Sequence, residues 1–497
     1  MRGIDNLLRK FRRSLISLRG GGGAHTGTMS AAPFSYSLPA RPIPLEGAWD
    51  VIVAGGGPAG CAAAAAAARD GAKTLLLEAT GSLGGMGTSA LVPAWTPFGD
   101  GERIVYRGIA GKVFEASKRG LPYSKQDDVN WVPIDPERLK RIYDELVTEA
   151  GAEVRFNTML ASVERKGEKI DALVVANKGG LTALRAKVYI DATGDADLCA
   201  WGGVPFHKGD AKGKKLMPAT HCFSLSNVDI AALQQGPALH ASNPESPIFA
   251  ILKSGKYPLI PDAHICVSLI GPDTVGFNAG HLWDVDGTRP ETVSRALVQG
   301  RRMAAQFRDA LAEFFPAAFG NAFLANTGSL MGIRETRRIV GDYELTLDDY
   351  VARRAFDDEI CRNAYFIDVH WAKDEIALNP EEHENWDANC LRYGKGESHG
   401  IPYRSLVPQG LENVLVAGRS ISCEQIVQGS VRVMPVCLAM GEAAGAAAAE
   451  AARLREGRVR QVDVGALRER LRRAGAYLPP LPSEVESLAG AEVGAAV

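Results

Sequence analysis

The sequence predicts an α/β fold in which helices cover a mostly parallel sheet. Three observations support this. An apolar run at residues 51–54 leads into the turn GGGPAG, a second at 74–77 follows an alanine-rich segment, and a third at 414–417 precedes a long alanine-rich segment. Strands that alternate with helical segments are typical of βαβ units and of a parallel sheet.

The first turn carries glycines at GxGxxG spacing. Gly55 permits the tight turn, Gly57 lets the backbone approach a pyrophosphate, and Gly60 allows the next helix to pack closely on the strand. That helix begins at Pro58 and Ala59, and its free N–H groups and dipole favour an anion at this end. The pattern is typical of a Rossmann-like nucleotide site.

Glycine turns between a strand and a helix also occur for structural reasons alone, so the prediction needs support from the second strand. That strand ends at Glu78, roughly 20 residues beyond the glycines, where a carboxylate accepts hydrogen bonds from the adenosine ribose. An acid at this position disfavours a 2′-phosphate. We therefore expect a dinucleotide, and the choice between NAD and FAD depends on the segments downstream.

The middle of the first domain contains recognisable elements. Asp135 before Pro136 predicts a helix that begins there and runs to about residue 150. A third strand is predicted at 153–156, and residues 160–188 alternate as three short strands, which indicates a β-meander lying over the sheet. A further apolar strand then leads into the segment DATGDAD.

Composition limits the class of function. The 56 basic and 58 acidic residues leave a formal charge of −2, so we expect no nucleic-acid and no membrane partner. The eight cysteines form no CxxC pair, which favours reduced thiols, no iron–sulfur cluster and no metal site. No apolar run reaches the ~18 residues of a membrane span, so we expect a cytoplasmic protein.

Three later segments separate FAD from NAD. The segment GSLGGMGTSA follows the acid, an ATG segment follows the next long strand, and GLENVLVAGRSIS precedes the C-terminal helix near Met434. With these motifs, the chain from about residue 49 to 452 resembles the FAD-dependent oxidoreductase family of the glutathione-reductase-like superfamily, related to the flavin subunit of heterodisulfide reductase. The segments GIRETRRIVGDYELT and GIPYRSLVP also resemble that family.

The resemblance implies a Rossmann-like FAD-binding domain of the glutathione-reductase type, with the β-meander and an inserted mixed α/β substrate domain. It implies non-covalent FAD, because no histidine lies near the Gly-Gly turn. The residues it implies at the cofactor, beyond those of the first turn and Glu78, are Gly84, Gly85, Met86, Ala192, Thr193, Gly194, Asp195, Gly418, Arg419, Val433 and Met434.

Two features of related enzymes are missing from the sequence. Met86, Gly87, Thr88 and Ser89 stand where disulfide reductases carry a redox cysteine pair, and no second GxGxxG unit occurs between residues 202 and 400. Thiol chemistry and a dedicated nicotinamide domain are therefore disfavoured.

The expected domain boundaries follow from these motifs. The N-terminal extension is basic and is either a disordered or mis-started segment, with Met29 as an alternative start, or a leader. The expected divisions are an extension at 1–47, a first FAD-binding part at 48–201, a substrate or cap domain at 202–400, a C-terminal FAD-binding return at 401–460 and a tail at 461–497.

Five side chains are candidates for catalysis. Arg334 could clamp a substrate carboxylate, although Arg337 and Arg338 beside it have the alternative of a salt-bridged face. The remaining candidates are substrate-contact residues and proton carriers, namely Tyr403, Arg404, His221 and His399.

The expected reaction is hydride transfer between a small organic substrate and FAD. The alternatives are an electron-transfer subunit of a heterodisulfide-reductase-like complex, with a redox partner protein, and a non-enzymatic dinucleotide-binding or scaffold protein.

Overall fold

The structure is a computed structural model that describes residues 36, 39–210, 215–370 and 392–481. Its strands are β1 (Leu45–Ala54), β2 (Thr74–Leu77), β3 (Glu153–Arg155), β4 (Met159–Lys166), β5 (Lys169–Asn177), β6 (Gly180–Asp191), β7 (Phe206–Lys208), β8 (Phe223–Ser226), β9 (Ile265–Leu269), β10 (Val275–Ala279), β11 (Phe323–Thr327), β12 (Arg337–Ile339), β13 (Glu359–Asn363), β14 (His399–Pro402) and β15 (Val414–Val416). Its helices are α1 (Pro58–Arg69), α2 (Ile109–Lys118), α3 (Pro136–Glu149), α4 (Asp197–Trp201), α5 (Ile230–Gln235), α6 (Pro247–Ser254), α7 (Pro290–Phe314), α8 (Pro316–Phe319), α9 (Leu347–Val351), α10 (Gln425–Val431), α11 (Met434–Leu454) and α12 (Val464–Arg473).

The main sheet has the strand order β3-β2-β1-β6-β5-β4, and β15 also pairs with β6. Strands β3, β2, β1, β6 and β15 run parallel, so the predicted α/β class with a Rossmann-like sheet is confirmed. The meander does not lie over the sheet, and that prediction is wrong. β6 is long enough to pair with β5 near its start and with β15 at its end, so the meander continues the same sheet.

The register of the parallel strands brings their carboxyl ends into one row. Ala54 of β1 lies opposite Leu77 of β2 and opposite Asp191 of β6, and Asp191 also lies opposite Val416 of β15. The turns that follow these four strands therefore open on the same edge of the sheet, where open α/β sheets bind their ligands.

Helices α1 and α11 touch through their backbones on one face of this sheet. A Cβ atom added to Gly441 would lie 2.2 Å from the Ala59 carbonyl oxygen, and one added to Gly445 would lie 2.1 Å from that of Ala63. Apart from Ala68 and Ala439, the alanines of both helices are almost fully buried. The carboxylate of Glu442 ties the pair together, because it accepts from Arg69 at 2.7 Å and from the backbone of Ile109 at 2.8 Å.

Two hydrophobic cores divide the described residues. The second core contains buried residues between Ala219 and Met331, where α7 packs on the antiparallel sheet β11-β8-β10-β9. The residues from Ile339 to Ile401 that are buried belong instead to the first core, with the parallel sheet. The separately packed part is thus shorter than the expected division at 202–400, and those boundaries stay a prediction.

The ends of the chain also differ from the expected divisions. Most of the extension at 1–47 lies outside the described residues, but Leu45 and Glu46 already pair with β6, so β1 begins earlier than predicted. In the expected tail, Leu467 and Leu471 of α12 are buried in the first core, because the amphipathic helix packs its apolar side inward. Residues 482–497 lie outside the described part.

Among the described residues, no single helix is long and apolar enough to cross a membrane. Helices α10 and α11 together reach that length and hydropathy, but they are bent by 91° at the break between them.

We predict that Gly445→Ala destabilises the protein by about 1–3 kcal/mol, because the added methyl group forces α1 and α11 apart. Gly111→Ala in α2 is the matched control: its nearest neighbour would be 3.5 Å away, so the same change should be neutral or stabilising by about 0.4–1 kcal/mol. Denaturant unfolding of both variants measures the difference. Equal stability of Gly445→Ala and the parent chain would contradict this contact.

Candidate active site

The first glycine turn leaves open space at one position only. Gly55 has a φ of +99°, and a Cβ atom there would lie 2.4 Å from the Ala192 carbonyl, while one on Gly60 would lie 1.8 Å from the Gly55 carbonyl. Both glycines are therefore required by packing. Gly57 has a φ of −71°, which any residue can adopt, and an added Cβ atom would meet nothing within 4 Å. The space beside Gly57 is where a ligand can approach the backbone.

The predicted Gly-Gly turn lies against the first turn. The N–H of Gly84 donates to the Gly56 carbonyl at 2.8 Å, and a Cβ atom on Gly85 would lie 3.2 Å from the Gly57 Cα. On its other side, a Cβ atom on Gly87 would lie 3.1 Å from the sulfur of Met434, at the start of α11. Met86, between Gly85 and Gly87 in sequence, is half-buried. This turn therefore bridges the start of α1 and the start of α11.

The third turn meets the C-terminal return through an arginine. The guanidinium of Arg419 donates to the Gly194 carbonyl at 2.7 Å and to the Asp195 carboxylate at 2.5 Å. The preceding residue, Gly418, packs against α1, since its Cβ atom would lie 3.2 Å from that of Ala59. Residues more than 200 positions apart in sequence thus lie side by side at this edge of the sheet.

A buried carboxylate holds this third turn in shape. Asp191 accepts hydrogen bonds from the N–H and hydroxyl of Thr193, at 3.1 and 2.7 Å, and from the N–H of Cys199 at 2.9 Å. Burial raises the pKa of Asp191, an effect that these hydrogen bonds partly offset. Ala192 lies between Asp191 and Thr193 in sequence, and its carbonyl is the group that Gly55 packs against.

Glu78 lies at the end of β2, beside the first turn, as the strand pairing requires. One carboxylate oxygen accepts from the Gly56 N–H at 2.8 Å, and the other accepts from the Thr80 N–H at 2.7 Å. Each oxygen has a second lone pair. The same group can thus hold the glycine turn and accept a hydrogen bond from a ligand hydroxyl.

Helix α1 begins after Gly57 and helix α11 begins after Val433, both at this edge of the sheet. Neither helix has a side-chain cap or an acidic residue in its first turn. Their N–H groups and positive dipole ends therefore remain available to a ligand. Five other helices are capped by a side chain at their first turn, and these caps are Asp135, Asp229, Ser246, Thr346 and Asp463.

The two predicted proton carriers lie inside packed regions. His221 is fully buried, its Nε2 lies 2.7 Å from the Gly328 carbonyl oxygen, and burial lowers its pKa. His399 is also fully buried, its Nδ1 lies 2.5 Å from the Tyr393 hydroxyl, and burial lowers its pKa to about 3. Both rings are neutral at physiological pH and shielded from solvent, so their placement argues against exchange of protons with a substrate.

Tyr403 and Arg404, the predicted substrate contacts, both form hydrogen bonds with other groups of the protein. The Tyr403 hydroxyl is buried and donates to the Val459 carbonyl at 2.9 Å. The Arg404 guanidinium is half-exposed and forms two hydrogen bonds with the Asp358 carboxylate, at 2.9 and 3.1 Å. Both side chains are thus held by partners within the protein, and their role in substrate contact stays a prediction. Strand β14, just before them, pairs with β13.

Of the arginines in the segment GIRETRRIVGDY, Arg334 differs from its neighbours. Arg337 pairs with Asp197 at 2.7 Å and Arg338 pairs with Glu335 at 2.6 Å, so the salt-bridged alternative holds for both. Arg334 donates to the Pro218 carbonyl and the Thr220 hydroxyl, both at 2.7 Å.

Arg334 is only 8% exposed, and no carboxylate forms an ion pair with it among the described residues. Burial and the positive charge of Arg432 lower the pKa of Arg334 to about 10, so it stays protonated. Its backbone carbonyl accepts from the side chain of Gln428, which fixes it to α10. A buried guanidinium that forms no direct ion pair favours an anion. The Asp368 carboxylate acts on Arg334 as a nearby charge, without such a pair.

Beside this arginine lies a histidine cluster that the sequence analysis did not identify. His264 precedes β9, His281 follows β10, and His370 comes from a segment that Asp368 anchors to Arg432. The antiparallel pairing of β9 with β10 brings the first two together, which only the strand register reveals. No short motif joins His370 to them.

The cysteines are spread through the structure. Among the described residues they form no disulfide, and no three of them lie close enough to share a metal. Burial raises the pKa of Cys222 to about 12 and that of Cys266 to about 11, so both stay protonated thiols near Arg334.

Comparisons with known proteins give weak structural likenesses and one family match. Solved structures similar to this chain include a geranylgeranyl bacteriochlorophyll reductase-like protein from Thermoplasma acidophilum (13% identity, 86% of this chain and 84% of that chain, TM-score 0.44). They also include a flavin-dependent brominase (14% identity, 86% and 83%, TM-score 0.43) and an anhydrotetracycline hydroxylase from Streptomyces rimosus (16% identity, 60% and 54%, TM-score 0.35). At TM-scores below 0.5 these likenesses carry no argument about this chain. No curated protein is a significant match to this chain.

The model of the family described as FAD dependent oxidoreductase matches residues 50–471. This match gives the family and not the finer relationship to heterodisulfide reductase, which stays a prediction. Because the match covers most of the chain, the protein belongs to the FAD-dependent oxidoreductase family: it is an oxidoreductase, and its cofactor is FAD.

Proposed function

We propose that this enzyme holds FAD, without a covalent bond, along the cleft between the starts of α1 and α11 and oxidises or reduces a small organic acid. The observation that supports this most strongly is the convergence of two uncapped helix ends and three turns at one edge of the sheet. The residues proposed to contact FAD are Gly55, Gly57, Pro58, Ala59, Gly60, Glu78, Gly84, Gly85, Met86, Ala192, Thr193, Gly194, Asp195, Gly418, Arg419, Val433 and Met434.

Each part of the cleft suits one part of FAD. The open space beside Gly57 and the N-terminus of α1 suit the pyrophosphate, because N–H groups and a positive dipole end stabilise its charge. Glu78 suits the adenosine ribose, since its oxygens can accept from hydroxyls. The N-terminus of α11 suits the flavin, whose reduced form carries negative charge.

The proposed substrate class follows from Arg334. A buried guanidinium that has no carboxylate partner among the described residues can bind a substrate carboxylate, and a planar fork holds it in one orientation. FAD, when bound, accepts or donates a hydride. The role of Arg334 is then to bind and orient the acid, while the surrounding protein keeps water away.

The first prediction concerns Gly57→Asp, which should abolish FAD retention. A side chain fits at Gly57 without backbone strain, but it fills the space proposed for the pyrophosphate and adds a negative charge. Gly47→Asp is the matched control, because Gly47 is exposed and its Cβ atom would also meet nothing within 4 Å. The ratio of flavin absorbance to protein measures the effect, with thermal unfolding as a check on folding. Full flavin occupancy in folded Gly57→Asp protein would refute the proposed site.

The second prediction concerns Arg334→Lys, which keeps the charge but removes the planar fork. The KM for an acid substrate should rise roughly 10–100-fold, the factor for losing a hydrogen bond to a charged group worth about 1.5–3 kcal/mol. The substrate is found by anaerobic flavin bleaching across a panel of carboxylic acids and their amides.

The matched control for this variant is Arg404→Lys, because Arg404 already pairs with Asp358 and should leave KM unchanged. If amides bleach the flavin as well as acids, or if Arg334→Lys keeps the KM of the parent enzyme, the proposal of an acid substrate fails.

A further inference from the structure

His281 and His370 of the cluster each have one ring nitrogen close to a carboxylate. This is called the outer nitrogen, and the other ring nitrogen is called the inner one. The Nδ1 of His281 lies 2.8 Å from the Asp262 carboxylate, and the Nε2 of His370 lies 3.5 Å from that of Asp368. A carboxylate only accepts, so these outer nitrogens carry the N–H groups. Imidazoles that bind metals are commonly oriented by a carboxylate behind them in the same way.

The inner nitrogens of these two rings then face each other. The Nε2 of His281 and the Nδ1 of His370 are 2.9 Å apart, and in neutral rings with outer N–H groups both present lone pairs to the gap. Two lone pairs at this distance repel unless a proton or a cation lies between them. Two nitrogens bound to one ion at about 2.1 Å and separated by this distance subtend an angle of about 90°, as in octahedral or square-planar sites.

A third imidazole completes the set. One ligand atom from each of His264, His281 and His370 lies within 4.8 Å of the others. The Nδ1 of His264 is buried and has no hydrogen-bond partner in the described part of the chain. Its ring stacks on that of His281, with centroids 4.2 Å apart and planes at 24°, so it must rotate to bring a nitrogen to the same point.

The charges around the cluster balance without an ion. The two carboxylates of Asp262 and Asp368 are opposed by Arg432, which binds Asp368 at 3.0 Å, and by Arg334, whose charge acts on His264 and His370. A divalent ion would therefore leave net positive charge beside the cleft, and an anionic ligand would offset it. The side chains of His281 and His370 are 15% and 17% exposed, so an ion can reach them from solvent.

We propose that His264, His281 and His370 form a site for one divalent first-row transition metal ion, with Asp262 and Asp368 orienting the rings and the remaining coordination positions open. Imidazole nitrogens are ligands that such ions prefer. Three protein ligands with open positions leave room for water or a substrate oxygen. This site is independent of the proposed acid substrate.

The test is Co²⁺ binding to the FAD-loaded protein after chelator treatment, measured by calorimetry and by electron paramagnetic resonance. Oxidised flavin is diamagnetic, so the resonance signal reports Co²⁺ alone. We expect one ion per chain, and at least tenfold weaker binding in His281→Gln and His370→Gln. His240→Gln is the matched control, because His240 is exposed and its ring bonds only to Ser242 among the described residues.

A second variant covers the case in which a histidine substitution prevents folding. Asp262→Asn removes the charged acceptor behind His281 without removing a ligand, and it should weaken Co²⁺ binding roughly 10–100-fold.

Absence of Co²⁺ binding by the FAD-loaded parent protein would overturn the metal site and indicate a shared proton between His281 and His370. Equal binding by the parent and by folded Asp262→Asn and His281→Gln would also overturn it. A parent protein that binds Co²⁺ but not FAD would instead refute the proposed FAD cleft alone.

Discussion

Helices α1 and α11 lie close enough for their backbones to touch, and the proposed cofactor cleft depends on this contact. Gly441 and Gly445 face the carbonyl oxygens of Ala59 and Ala63 with no room for a Cβ atom between them. Because both helices are rich in small buried residues, they approach each other along much of their length. This approach brings their N-termini to the same edge of the sheet, so that a single elongated ligand can reach both positive dipole ends.

The proposed cleft also depends on the register of the parallel strands. Four strands end in one row, so the turns after them face the same space although they come from distant parts of the chain. The Gly84–Met86 turn fills the gap between the two helix starts, and Arg419 ties the C-terminal return to the turn at Gly194 and Asp195. The proposed cofactor site is thus held by backbone contacts and short hydrogen bonds, whereas the proposed substrate site depends on the side chain of Arg334, whose backbone Gln428 of α10 holds.

The candidate catalytic side chains show why residue type alone is a weak guide to catalysis. His221 and His399 have suitable chemistry, yet burial keeps both neutral and away from solvent. Arg334 and Arg404 are both arginines, but Arg404 pairs with Asp358 while Arg334 is buried beside Arg432. Partners and burial decide which group is available, and both are properties of the packed chain. The histidine cluster has the same origin, since β9 and β10 must pair before His264 and His281 can meet.

From the sequence alone, the parallel α/β class, the glycine turn, the acid at the end of β2 and the beginnings of α1, α3 and α11 could be predicted, because each depends on neighbours within a few residues or on a short motif. Only the tertiary structure decided that the meander continues the main sheet, that residues 339–401 share the first core, and which polar side chains lie beside the cleft. Those outcomes depend on strand pairing and on contacts between residues a hundred or more positions apart, and local hydrogen bonding and hydrophobic periodicity do not encode them.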